Sequence, residues 1–149
     1  MNRRQKAILI EVAGVLVITL IAVVAMINFK DYVNRSEAIS AMQQLSEIIL
    51  EYRQEHGRVP AESLVLREKD KVKGAVRLTN LVYRGLWIDF EAEPNDILAH
   101  AAKNYPSSLL DDGYVVLRFD GTAEWMAKEE FEELLAQQQS DVEIEMTRK

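Results

Sequence analysis

The segment from Ala7 to Phe29, AILIEVAGVLVITLIAVVAMINF, carries a single charge, Glu11. At about 1.5 Å per residue a helix over this run is roughly 35 Å long, enough to cross a hydrocarbon core of about 30 Å. A lone apolar segment in lipid must close its backbone hydrogen bonds within itself, which restricts it to a helix. A cleavable signal has a shorter apolar region, about 7–15 residues, followed by a small-x-small site. This run is longer and ends in Met26-Ile27-Asn28-Phe29-Lys30 without such a site. The expectation is a retained single-pass anchor over residues 7–29 behind a basic leader, residues 1–6. Arg3, Arg4 and Lys6 place the leader in the cytoplasm by the positive-inside bias, with residues 31–149 outside.

Glu11 lies four residues inside the apolar start, about 6 Å of helix rise. Two readings stand. The carboxylate reaches the headgroups or is protonated there. Alternatively it pairs with a cation of another subunit, Arg4 or Lys6 of a neighbour, because an acid in a membrane helix is costly unless satisfied.

The helix is expected to continue through residues 30–57. Ala38, Ala41, Leu45, Ile48 and Tyr52 recur at 3,4,3,4 spacing, and Ile39, Met42 and Ile49 widen the stripe. His56-Gly57 forms a stop and Pro60 prevents resumption. Residues 58–139 then read as a small α+β domain. Ala75 to Arg84 is a short helix, or a strand with a turn at Arg84-Gly85. Leu86 to Phe90 reads as extended and Glu93 to Asp96 as a turn. Ile97–Ala101 and Tyr114–Phe119 read as strands with a loop over Asn104–Asp112. Asp120-Gly121 is a tight type I′ turn into a returning strand, Thr122–Met126. Ala127–Gln139 returns to helical periodicity, and the polar tail from Ser140, residues 140–149, is expected to fray. The fold class is α+β: a long N-terminal helix packed on a small antiparallel sheet, with a short C-terminal helix.

Charge and composition exclude some function classes. Of 18 Lys/Arg and 24 Asp/Glu, only Arg3, Arg4, Lys6 and Glu11 precede Lys30, leaving 15 basic against 23 acidic side chains beyond it. A part carrying −8 repels phosphates, so no nucleic acid is expected. Arg67, Lys69, Lys71 and Lys73 are interrupted by Glu68 and Asp70 and read as a solvated loop. The chain has no cysteine, which removes disulfides, zinc ribbons and thiol catalysis.

Catalytic signals are sparse. His56 sits at a helix end, where it suits the last carbonyls. His100 sits in a strand and reads as structural or exposed. Asp96, His100, Asp111, Asp112 and Asp120 match no recognised metal spacing. Asp111-Asp112 reads as solvated, with a calcium loop as the lesser alternative. Trp87 and Trp125 read as core, and Glu129, Glu130, Glu132 and Glu133 as the wet face of the last helix. No phosphate loop or nucleophile motif is present. Neither an enzyme nor a cofactor nor a small-molecule substrate is expected.

Two stretches resemble one family. Ala7 to Val12, opening a long apolar helix behind a basic leader and carrying an early glutamate, looks like the start of type IV pilins and type II secretion pseudopilins. Glu51 to Pro60 looks like the end of their first helix. Val82 to Leu86, Asp96 to His100 and Gly113 to Trp125 are similar to the C-terminal segment of pilin-like proteins abundant in planctomycetes, with its DGHVEW-type hairpin; Thr122 stands where that hairpin has histidine. The resemblance implies a pilin-like fold. It also implies a non-catalytic subunit in the bacterial inner membrane, with its domain in the periplasm. Such a subunit assembles through its N-terminal helix with itself or with other membrane subunits. Lys6 stands where the family's processing peptidase expects Gly. That departure favours an alternative, an unprocessed accessory subunit of another inner-membrane complex.

Overall fold

The computed structural model describes residues 2–88 and 92–147. A single helix, α1, runs from Arg3 to His56, 54 residues or about 80 Å. Asn2 caps it: its side chain accepts from the start of the helix while Gln5 returns a bond to the Asn2 amide. At the other end Gly57 takes a left-handed φ of 66°, and its N–H donates to the Arg53 carbonyl at 2.9 Å. His56 Nδ1 lies 3.1 Å from the Tyr52 carbonyl, with the two rings stacked at 4.1 Å. The imidazole thus meets one of the orphan carbonyls of the last turn.

The two halves of α1 have opposite surroundings. From Ile8 to Met26, and again at Phe29, its large apolar side chains stand exposed. From Ala38 onward one face, Ala38, Ala41, Met42, Leu45 and Ile49, is fully buried. This face packs on a four-stranded antiparallel meander in chain order, β1 (Leu81–Tyr83), β2 (Ile97–Lys103), β3 (Gly113–Arg118) and β4 (Ala123–Ala127). Strand alternation divides the core. Val115 and Leu117 of β3 point toward α1, whereas Val116 joins Ile97, Met126 and Phe131 on the opposite face. That face is closed in the C-terminal third by a helix over Lys128–Gln138, whose Glu129, Glu130, Glu132 and Glu133 are exposed. A register shift between Ile97 and Ala99 sends both Leu98 and Ala99 toward the α1 side. The α+β arrangement is therefore a sheet with the long helix on one face and a short helix on the other.

Between α1 and the sheet lie α2 (Glu62–Lys69) and a 3-10 turn, Ala75–Leu78. Residues 75–84 thus hold both a short helical turn and a strand. The Tyr83 hydroxyl donates to the Pro60 carbonyl at 2.9 Å and ties β1 to the exit of α1; burial pushes that phenol's pKa up. Gly85 to Trp87 form a turn closed by the Trp87 N–H on the Arg84 carbonyl, which corrects the extended reading there. Asp89 and Phe90 lie outside the described residues. The helix over Lys128–Gln138 is α3.

Two further expectations are corrected. The β3–β4 connection is not a type I′ turn, which needs positive φ at both central residues. Only Gly121 has it, at 94°, and Asp120 does not. Gly121 N–H donates to the Arg118 carbonyl at 3.0 Å and Arg118 N–H to the Thr122 carbonyl at 2.9 Å. This is a three-residue loop, a type I turn followed by a glycine bulge. The Asp120 carboxylate accepts the Thr122 N–H at 2.8 Å. The tail is also more ordered than expected: Asp141–Thr147 form a helix, α4, with Glu143 buried.

Candidate functional site

Three places concentrate side chains whose setting exceeds what packing requires. The first is the exposed half of α1. Ile10 is 70% exposed, Ile18 69% and Met26 73%. An apolar surface of this length in a monomer marks contact with lipid or protein. The helix is long and apolar enough to cross a membrane. Two of its polar side chains bond back to the helix itself: the Thr19 hydroxyl donates to the Val15 carbonyl and the Asn28 amide to the Val24 carbonyl, both at 2.8 Å.

Arg4, Lys6 and Glu11 are all exposed. Lys6 and Glu11 are five residues apart, off the i,i+4 spacing that lets side chains meet. Arg4 and Glu11 share a face but stand about 10 Å apart along the axis. No ion pair among the described residues involves Glu11. Within one chain the three residues are not brought together.

The second place is where the β2–β3 loop descends on α1. Asn28 Oδ1 accepts from the Ser108 hydroxyl at 2.9 Å and from the Leu109 N–H at 2.8 Å. Farther along the helix, Arg35 donates to the Asp111 carbonyl at 3.0 Å and lies 3.8 Å over the Trp125 ring. The Asp112 carboxylate accepts the Tyr105 N–H at 2.6 Å, so it organises the loop itself. Trp125 is half-buried on the core side of β4.

The third place is a buried polar clamp. Arg84, after β1, directs Nε to one oxygen of Glu143 at 2.7 Å and Nη2 to the other at 3.0 Å. Its Nη1 donates to the Ile97 carbonyl at 2.6 Å. Gln138 completes the arrangement, its side-chain oxygen accepting the Ile97 N–H at 2.8 Å. The Ser140 hydroxyl accepts the Glu143 N–H at 3.3 Å and starts α4. His100 lies nearby in β2, edge-on to Tyr114 and 4.7 Å from Phe131. Burial first, and the Arg84 charge second, lower its pKa to about 4, with Glu143 opposing. At neutral pH it is an uncharged aromatic member of the core.

The candidate metal residues do not converge. Asp96 accepts the Glu93 N–H at 2.9 Å, Asp120 closes the hairpin and His100 packs on Phe131. Among the described residues no group of three or more His, Asp or Glu could hold a metal ion. Trp87 is half-buried beside Arg84. Sequence reading missed Asn28, Arg35, Arg84 and Glu143. Asn28 carries a signal, a lone amide at the end of an apolar run; Arg84 and Glu143 carry none, being 59 residues apart.

Compared with protein-family models, curated proteins and solved structures, the chain matches none.

Proposed function

We propose that this protein is a membrane-anchored, non-catalytic subunit of pseudopilin type. In this reading it works in a secretion or pilus-type system of the bacterial inner membrane. It joins other membrane subunits, or further copies of itself, through the exposed apolar half of α1. The observation that carries the reading is the change of surroundings along one uninterrupted helix. From Ile8 to Met26 its large apolar side chains have no intrachain cover, and its second half contributes one face to the core of the domain. Arg3, Arg4 and Lys6 orient the leader to the cytoplasm and residues 31–149 to the periplasm. Protease added to intact spheroplasts is expected to degrade the domain; protection until lysis would reverse the orientation.

One observation favours an unprocessed accessory subunit of another inner-membrane complex. Lys6 precedes Ala7, and the capped helix begins at Arg3 and passes through that peptide bond without interruption. Intact N-terminal mass decides between the two: a chain beginning at Ala7 supports the processed subunit, and an intact leader supports the accessory one.

A further inference from the structure

The β2–β3 loop does not hang free of the helix. Its lowest tie is to Asn28, at the end of the apolar run, and its next is to Arg35. These helix positions are seven residues apart, about 10 Å along the axis. The loop therefore descends toward the apolar half and turns at Leu109. Asn28 is fixed for this task, since its Nδ2 is held by the Val24 carbonyl while Oδ1 takes both loop donors. Leu109 is 83% exposed, although a loop of this kind has polar residues available in Ser107 and Ser108. Phe29 and Tyr32, at 70% and 61% exposed, stand one and four positions beyond Asn28. Asp111 and Asp112 lie on the Arg35 side of the loop, away from its tip.

We infer that this loop is a second lipid contact. Leu109 seats in the boundary between headgroups and acyl chains, beside the aromatic pair Phe29 and Tyr32. Aromatic and apolar side chains at this depth, about 5–10 Å into the interface, are what a bilayer surface accommodates. The occupant is lipid because the loop tip continues the exposed apolar surface of α1 at the level where that surface ends. The inference depends on the membrane-anchor reading above. Its consequence is that the domain lies against the bilayer instead of standing clear of it.

The chain has no cysteine, so single cysteines can be placed without background. Leu109→Cys, Leu86→Cys and Ile18→Cys are labelled in the full chain with a polarity-sensitive fluorophore. Each is reconstituted in phosphatidylcholine–phosphatidylglycerol vesicles containing lipid-borne quenchers at shallow or deep positions. Leu86 is the matched control: it is 82% exposed but lies beside Tyr52, about 36 Å farther along the helix than Asn28. The Ile18 label is expected to lose emission to the deep quencher, the Leu109 label to the shallow one and the Leu86 label to neither. Quenching at Ile18 with Leu109 behaving like Leu86 would overturn the loop contact while the anchor stands. A blue-shifted Leu109 label untouched by either quencher would mean a protein surface covers the loop, which also overturns it. No quenching at Ile18 would remove the anchor and the inference together. Unchanged melting of each variant in detergent checks that the loop has kept its fold.

Discussion

Arg84 grips Glu143 along one edge of its guanidinium, Nε at 2.7 Å and Nη2 at 3.0 Å from the two carboxylate oxygens, with both side chains almost wholly buried. The pair is the main polar tie between α4 and the body of the domain. The apolar residues of α4 do not take that role, since Val142 and Met146 are 61% and 64% exposed. The one buried side chain of this short helix is an acid, Glu143, while its valine and methionine face out with Asp141 and Glu145.

Removing one member of such a pair leaves a charge stranded in a dry site, at about 3–5 kcal/mol. Glu143→Ala is expected to lower Tm of the full chain in detergent by roughly 10 °C. Arg84→Met should cost much less in the Glu143→Ala background than in wild type, because its partner is already gone. Additive losses would show that the two side chains act independently.

Gly121 is constrained twice. Its φ of 94° is one that a β-branched residue resists, and a Cβ there would meet Leu50 Cδ1 at 2.5 Å and Ser46 Oγ at 3.1 Å. Ser46 Oγ itself donates to the Gly121 carbonyl at 2.7 Å. Gly121→Val is expected to destabilise the domain by about 1–3 kcal/mol from backbone strain, with the clash adding to it. Unchanged thermal unfolding would show that the turn can relax away from α1.

His100 makes stability depend on pH. Its folded pKa, about 4, lies below its ordinary 6.5, so between those values the unfolded chain binds more protons. Stability is fully present above 6.5 and is lost as pH falls through the window, by up to roughly 3 kcal/mol. His100→Phe should flatten this slope in denaturant titrations between pH 6.5 and 4. An identical slope in variant and wild type would assign the loss to other groups.

For Glu11 the expected outcome concerns assembly rather than folding. Glu11→Leu should remain in the membrane, since Val12 to Phe29 is still apolar, but should recover fewer partner subunits in a mild-detergent pull-down. In the subunit reading proposed above, the loss would leave a neighbour's cation without its acid, at about 3–5 kcal/mol. Equal recovery of the same partners would leave Glu11 as an interfacial residue.

The elements legible in the sequence were those with strong periods. The 3,4 stripe from Ala38 to Tyr52 marks the buried face of α1, and the run Tyr114 to Phe119 marks β3, which spans Gly113–Arg118. His56-Gly57 states its own helix end through the left-handed glycine. Residues 62–69 give no such signal, because α2 is short and buries only Val65 fully. The turn at Asp120-Gly121 was visible but its type was not, since one glycine suits both a two-residue and a three-residue loop. The clamp was invisible for a different reason. Glu143 sits in a tail that reads as polar and frayed, and its burial is set by an arginine far away in the chain, a relation that no local pattern encodes.

Between its ends α1 contains no proline and a single glycine, Gly14. The rod in the apolar region and the rod in the core of the domain are one lever, with no swivel between them. Whatever azimuth the apolar half adopts, the sheet adopts with it. One residue inserted between Lys30 and the buried stripe would turn the sheet by roughly 100° and lift it by about 1.5 Å. It would also set the Asn28 and Arg35 holds on the loop out of phase. The facing of the domain is thus encoded as a residue count along a single helix.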